Sequence, residues 1–429
     1  MGNFKKDTFI TFNSNIALLF LFLIFSILLN RSLGPELKGI YTFYMTIPLL
    51  LSAFLSVGLE SANVYFIGKR KIHPGKLISN SLIIYMAILL ILIILSFILF
   101  FFKIFPHISG YTISKVLFFL SLFSTPLIME NNFLSTIVLG LQKYTLYNIL
   151  KLISVLFLII AVAICIFIFK RVSITTFFIL WICSVIISIS VYLFVLRGYL
   201  HFEKFDMDIF KETIRYSFKN YIANLSAFLI YRSDYFIISM FLAPKFLGFY
   251  SVATVISEKM WLIPSSIGTI LYPRVSNTEK YHKETTIFSM KINFLIMLFI
   301  GTILGIIAKP IIELLYGKPF LPTANIILYL LPGIIFLSIA KMLTADLNGQ
   351  GHPEFSAIYS FIGFSFNLLL NLLLIPKYGI IGAAIATSIS YIYISIMILF
   401  SYKNLINCKW TDFFINSNDI KKLYDIIKR

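Results

Sequence analysis

Seven stretches of this chain run for more than twenty residues without one Asp, Glu, Lys or Arg. They are Thr8–Asn30, Gly39–Leu59, Leu77–Phe102, Val172–Leu196, Pro319–Ala340, Phe355–Pro376 and Tyr378–Tyr402. About 20 mostly apolar residues suffice for a helix to cross roughly 30 Å of hydrocarbon. With the less perfect runs between them, the pattern predicts twelve membrane-spanning helices. These lie near 9–30, 41–67, 79–102, 115–140, 148–169, 173–196, 219–242, 247–271, 287–308, 323–345, 355–375 and 380–402. Twelve spans of about 23 residues take up roughly 276 residues. That leaves no room in a chain of 429 for a soluble catalytic domain. The first run lacks a small-residue cleavage site and reads as a span rather than a signal peptide. Composition agrees: 59% of residues are hydrophobic and 13% charged, against roughly 25% charged in soluble domains. Three cysteines, Cys165, Cys183 and Cys408, imply neither a disulfide framework nor a metal cluster.

The net charge of +18 could suggest nucleic acid, but its distribution suggests topology. Basic residues concentrate at the termini and in alternate loops: Lys5 and Lys6, Lys69 to Lys76, Lys143 and Lys151, Arg197 to Lys219, Arg274 to Lys291, and the tail after Tyr402. The bias predicts that both termini are cytoplasmic. Membrane lipids with anionic headgroups are then the partner, and nucleic acid is not.

An internal repeat divides the chain. Leu33-Gly34-Pro35-Glu36-Leu37-Lys38-Gly39-Ile40-Tyr41 matches Leu242-Ala243-Pro244-Lys245-Phe246-Leu247-Gly248-Phe249-Tyr250 at an offset of 209 residues. Gly140 and Gly349 share that offset. Six helices per repeat give two lobes of the same orientation, related by a pseudo-two-fold along the membrane normal. The predicted organisation is an N-terminal lobe over 1–200, an amphipathic interfacial linker helix over 201–218, a C-terminal lobe over 219–402 and a cytoplasmic tail over 403–429.

Charges at bilayer depth are costly and mark function or pairing. Glu60, Glu130, Arg232, Asp234, Glu258, Lys259 and Lys341 fall inside predicted spans. Asn220, Asn224, Ala227, Tyr231 and Asp234 recur at 4-3-4-3 spacing, a polar or small stripe along helix seven. Thr254, Glu258, Trp261, Ser265 and Thr269 form another on helix eight. Such stripes face water rather than lipid. Arg232 and Asp234 are two residues apart and cannot pair with each other. Arg232 therefore takes a partner elsewhere, either Glu258 as structural glue or a bound anion. A guanidinium matches phosphate oxygens bidentately, so Arg232 and Lys259, with Asn220 and Asn224, are the candidate contacts for an anionic substrate. Asp234, Glu258, Glu130 and Glu60 are candidate sites for a coupling proton or sodium ion. Lys341 and Glu60 lie nearer the span ends and read as snorkelling or lining an opening. No Walker-A loop and no metal-spaced His/Cys cluster is present. The chain is thus not read as an enzyme, and needs no cofactor beyond a possible H+ or Na+.

Asn30-Arg31-Ser32-Leu33-Gly34-Pro35-Glu36 with Gly39-Ile40-Tyr41 resembles the first loop of polysaccharide flippases of the Wzx type. That family belongs to the multidrug/oligosaccharidyl-lipid/polysaccharide exporter superfamily. Arg232-Ser233-Asp234, Leu247 to Ser251, Pro273-Arg274, Asn348 to Gly351 and Tyr378 to Ala384 resemble motifs of its second half. The resemblance implies an all-α polytopic fold of two six-helix lobes in a V. It implies export of undecaprenyl-diphosphate-linked oligosaccharide to the outer leaflet of a bacterial cytoplasmic membrane, by alternating access and ion coupling. The host's glycan polymerase and glycosyltransferases would be partners, and a monomer is expected. A cation-coupled multidrug exporter shares the fold, but its usual carboxylate in helix one is missing. A membrane glycan polymerase or ligase would need a larger extracytoplasmic loop than this chain offers.

Overall fold

The computed structural model describes residues 2–68, 72–102, 109–170, 173–199, 204–268, 283–350, 352–414, 416 and 419. The side chains of residues 2–9, 12, 61, 219, 220, 223 and 353 lie outside that description. The described chain is helical: α1 (Gly2–Leu55), α2 (Leu59–Gly68), α3 (Pro74–Phe101), α4 (Lys115–Gly140), α5 (Tyr144–Phe167), α6 (Ile174–Val195), α7 (Met207–Phe241) and α8 (Pro244–Glu258) come first. A short helix α9 over 262–268 follows. Then come α10 (Lys283–Tyr316), α11 (Pro322–Gly349) and α12 (Pro353–Ile406).

Nine of the described helices are long and apolar enough to cross a membrane, against twelve predicted spans. Two of the nine run past a predicted loop: Asn13–Leu55 with 43 residues joins most of predicted span one to the first part of span two, and Glu354–Ile406 with 53 contains spans eleven and twelve. At 1.5 Å per residue they reach roughly 65 and 80 Å, more than twice the hydrocarbon thickness. In each a single glycine replaces the expected loop: Gly34 sits at φ 68° and Gly379 at φ 59°. Only glycine takes that conformation without a Cβ penalty, so helix resumes at once on its far side. At the second kink Gly382 lies against the backbone of Leu374. In a straight helix those residues would be about 12 Å apart. Here the chain turns sharply.

Predicted span two is interrupted as well. Val57 and Gly58 take φ 46° and 75°, which ends α1 at Leu55. The break leaves the last α1 carbonyls without helical donors. Tyr221 of α7 supplies one, its hydroxyl donating to the Phe54 carbonyl at 2.8 Å. The amphipathic segment expected as a separate linker helix is continuous with helix seven, since α7 is unbroken from Met207 to Phe241. Asp206 caps its start, its carboxylate accepting from the amides of Asp208 and Ile209.

Two compact units emerge: Met1–Leu225 with Leu242–Gly248, and Ser226–Phe241 with Phe249–Arg429. In the first, α4 is the central helix, packed by α1, α2, α3, α5 and α6. The most apolar helix, α3, exposes Ile91, Phe97 and Phe101, whereas the more polar α4 is largely buried. Apolar side chains outside and polar ones within is the inverse of a water-soluble core and suits lipid. The first unit also holds a reciprocal contact. A Cβ on Gly39 would collide with the Pro244 carbonyl oxygen, and one on Gly248 with that of Pro35. Gly39 and Gly248, like Pro35 and Pro244, are the equivalent positions of the 209-residue repeat, so repeat partners pack on one another. In the second unit α11 is the buried helix, flanked by α10 and α12. Asp346 ties these three together, accepting from Thr286, Gln350 and Tyr402. The tail docks onto α10 through a 2.8 Å ion pair between Lys291 and Asp419.

Candidate functional site

Predicted helix eight is one helical stretch, Pro244–Gly268, with a tighter turn inside it. After Glu258 it tightens into a 3-10 turn, Lys259–Trp261, before α9. Pro264 explains the change, because its ring clashes with the carbonyl four residues earlier and it donates no amide. The turn separates the helix-eight candidates. Glu258 points to α7, Lys259 is exposed, and Trp261 is buried.

Arg232 and Glu258 form a bidentate pair within the second unit, Nη1–Oε1 at 2.8 Å and Nη2–Oε2 at 2.9 Å. The same guanidinium donates to the Tyr231 carbonyl at 2.7 Å and lies 5.4 Å from the Tyr235 ring centre. Of the two partners the sequence left open for Arg232, Glu258 is therefore the one in place. Asp234, 1% exposed, points away from that pair, as its spacing requires. Its Oδ2 accepts from the Tyr250 hydroxyl at 2.6 Å, and that hydroxyl lies 2.9 Å from Thr387 Oγ1. Its Oδ1 has no hydrogen-bond partner among the described residues.

A cavity of ≈ 510 Å³ opens within the same unit, inside the usual range for small-molecule sites of about 300–1,000 Å³. Ala227 and Tyr231 of the α7 stripe line it, with Ser265 of the helix-eight stripe. From α11 come Leu337, Lys341, Thr344 and Asn348, and from α12 Ser356 and Ser360. Lys341 is its cation. Its Nζ sits 4.5 Å from the Trp261 ring centre and 5.4 Å from that of Tyr231, and donates to the Tyr231 hydroxyl at 3.3 Å. Tyr391 packs against both rings, and the Trp261 indole is fixed by its N–H donating to the Ile334 carbonyl at 3.0 Å.

The remaining predicted residues lie elsewhere. Lys259 and Asn224 are exposed and do not line the cavity, and the Asn220 side chain lies outside the described residues. Glu60 on α2 and Glu130 on α4 belong to the first unit. Glu130 is 6% exposed, and neither of its oxygens has a hydrogen-bond partner among the described residues. Among the described residues, no group of three His, Cys, Asp or Glu side chains could hold a metal. The sequence read Lys341 as snorkelling or lining an opening, and in the structure it lines the cavity. Leu337, Lys341, Thr344 and Asn348 repeat the 4-3-4 spacing that singled out the α7 stripe.

Residues 4–279 match the family described as polysaccharide biosynthesis protein. A putative O-antigen transporter of Shigella flexneri is 27% identical over 88% of this chain and 92% of its own length. An uncharacterized membrane protein of Methanocaldococcus jannaschii is 37% identical, but over only 34% of this chain and 31% of its own length. A probable low-salt glycan biosynthesis flippase of Haloferax volcanii is 24% identical over 42% of this chain and 39% of its own length. Among solved structures, an inward closed lipid II flippase MurJ superposes with a TM-score of 0.78 at 20% identity, covering 98% of this chain and 92% of that one. An inward-facing multidrug resistance MATE transporter gives 0.68 at 17% identity, covering 90% and 94%. At these identities the likeness is one of fold. With a match across more than half its length, the chain belongs to the polysaccharide biosynthesis protein family, whose relatives named here include transporters and flippases rather than enzymes.

Proposed function

We propose that this protein is a flippase that carries undecaprenyl-diphosphate-linked oligosaccharide from the cytoplasmic to the outer leaflet of a bacterial cytoplasmic membrane. The observation that carries the reading is a cavity in the second unit that sets Lys341, Thr344, Asn348 and three serines among apolar side chains, in a protein that exposes many large apolar residues. A glycan cannot cross hydrocarbon unaided, because each unsatisfied polar group there costs several kcal/mol. Its polyprenyl tail can stay in lipid while the head crosses within protein. The serine, threonine and asparagine side chains suit sugar hydroxyls, and Tyr231 contributes an aromatic ring to the wall. Both termini are cytoplasmic in this reading, the transporter acts as a monomer, and glycan polymerase and glycosyltransferases supply and consume its cargo. Arg232 holds the α7–α8 corner with Glu258 and contacts the substrate anion only when that pair opens. A proton or sodium gradient drives export through Asp234, with Glu130 and Glu60 as further coupling candidates.

The test is complementation of a flippase-null strain that makes a defined lipid-linked glycan. Wild-type protein should restore surface polysaccharide. Arg232→Ala should abolish it while the protein still inserts in the membrane. Resistance to cationic drugs without restored polysaccharide would instead favour a multidrug exporter, a reading that the cationic Lys341 in the cavity argues against.

A further inference from the structure

We infer that Lys341 is the anion-binding residue of the second unit's cavity, and that its ligand is a diphosphate group. The inference rests on the flippase reading for the origin of that diphosphate, but the site stands on its own geometry. Two intramembrane cations were the natural choices from sequence, and neither occupies this role. Arg232 has both of its terminal nitrogens committed to Glu258, and Lys259 is exposed outside the cavity. Lys341 lines the cavity, and among the described residues its ammonium has no carboxylate partner. Its polar contact is the Tyr231 hydroxyl at 3.3 Å, a neutral acceptor at the long end of hydrogen-bond range.

The aromatic faces of Trp261 and Tyr231 hold the ammonium in place. A ring quadrupole attracts a cation without neutralising it, so the cage positions the charge and leaves it available. A half-buried ammonium whose contacts are one neutral hydroxyl and two ring faces is only partly compensated. An anion entering the cavity completes its coordination. The Asn348 side-chain oxygen, buried and without a hydrogen-bond partner among the described residues, belongs to an amide whose nitrogen can donate to the same ligand. Thr344, Ser356 and Ser360 add hydroxyl donors along the wall. A compact ammonium with neutral donors around it suits the charge-dense oxygens of a diphosphate.

Trp261 makes a built-in reporter, since the chain has three tryptophans. In a Trp181→Phe, Trp410→Phe background, Trp261 emission is titrated with inorganic pyrophosphate and, in parallel, with farnesyl diphosphate. Sodium chloride of equal ionic strength is the control. We expect a saturable change in emission with both ligands, tighter for the isoprenoid one because the tail adds apolar burial. Lys341→Gln should weaken both at least about tenfold, the loss of one charge-assisted contact, and Lys341→Arg should retain most of the binding. Equal affinity for the two ligands would identify free diphosphate as the cargo group, with the site unchanged. Emission that follows ionic strength alone, or unaltered binding in a Lys341→Gln protein with a native melting curve, overturns the inference. If Lys341→Arg melts normally yet also fails to bind, charge at this position is not what binds, and the inference falls. Saturable, Lys341-dependent binding by a protein that fails complementation would sink the flippase reading and leave the anion site standing.

Discussion

At the scale of single residues, the decisive feature is how the intramembrane charges divide into committed and available ones. Arg232 and Glu258 satisfy each other through two hydrogen bonds, with side chains 24% and 17% exposed. Removing one partner of such a pair leaves a stranded charge, whereas removing both can be nearly neutral. Glu258→Gln should therefore destabilise the protein by up to about 3 kcal/mol, less than for a fully buried pair because water reaches these groups. Arg232→Gln with Glu258→Gln should recover much of that loss. Unfolding of the purified protein in mixed detergent micelles gives both values, and a strictly additive double variant would show that the pair contributes no coupling.

At the scale of elements, glycine and proline decide where helices meet and turn. Gly39 and Gly248 face each other's proline carbonyl so closely that no Cβ fits. Gly39→Ala should lower stability by about 1–3 kcal/mol, the usual cost of overpacking. Gly68→Ala, which opens into free space, should change little in the same unfolding assay. The start of α7 adds a pH-dependent element. Hydrogen bonds from the Ile209 and Asp208 amides, with Lys76 nearby, hold the Asp206 carboxyl below the usual carboxylate range. A depressed pKa means that this cap stabilises the folded chain above about pH 4 and is lost as pH falls through the lower folded value. Melting curves between pH 6 and pH 3 should show a shallower pH slope for Asp206→Asn, which keeps a capping oxygen but cannot titrate. Most helices were legible because lipid imposes a long charge-free run that loops lack. The one-residue turns at Gly34 and Gly379 were not, because a positive φ leaves no hydropathy signal and each site reads as an ordinary short loop. The tightening after Glu258 was foreshadowed by Pro264 alone. Within the site, spacing placed Tyr231 and Ser265 on a wetted face and correctly separated Arg232 from Asp234. It could not choose between Glu258 and an anion as the partner of Arg232, since that depends on the approach of two helices 26 residues apart in sequence. Lys341 was read as snorkelling or lining an opening from its distance to a span end, and the 4-3-4 face on which it lies carries it to the cavity wall.

At the scale of the whole molecule, the basic surplus and the polar interior do different work. Most of the 36 Lys and Arg residues lie between spans or in the tail, where they bias insertion, while a few buried groups remain for transport. A transporter driven by an ion gradient needs a group whose occupancy changes which state is favoured, and the bias equals the difference in affinity between states. Asp234 is the group proposed for that role. One carboxylate oxygen is held by Tyr250 and the other lacks a hydrogen-bond partner among the described residues, so a proton or sodium ion can bind without first breaking an ion pair. Tyr250 and Thr387 link it by hydrogen bonds to α8 and α12. Coupling free energies of about 1–3 kcal/mol correspond to roughly 5–150-fold effects. In proteoliposomes carrying a lipid-linked oligosaccharide, wild-type export should fall at least about fivefold when both proton and sodium gradients are collapsed. Asp234→Asn keeps the size and the contact with Tyr250 but cannot take up charge. Its export should match the collapsed wild-type rate whether or not a gradient is present. Wild-type transport indifferent to both gradients, or an Asp234→Asn protein that still responds to one, would remove Asp234 from the coupling mechanism.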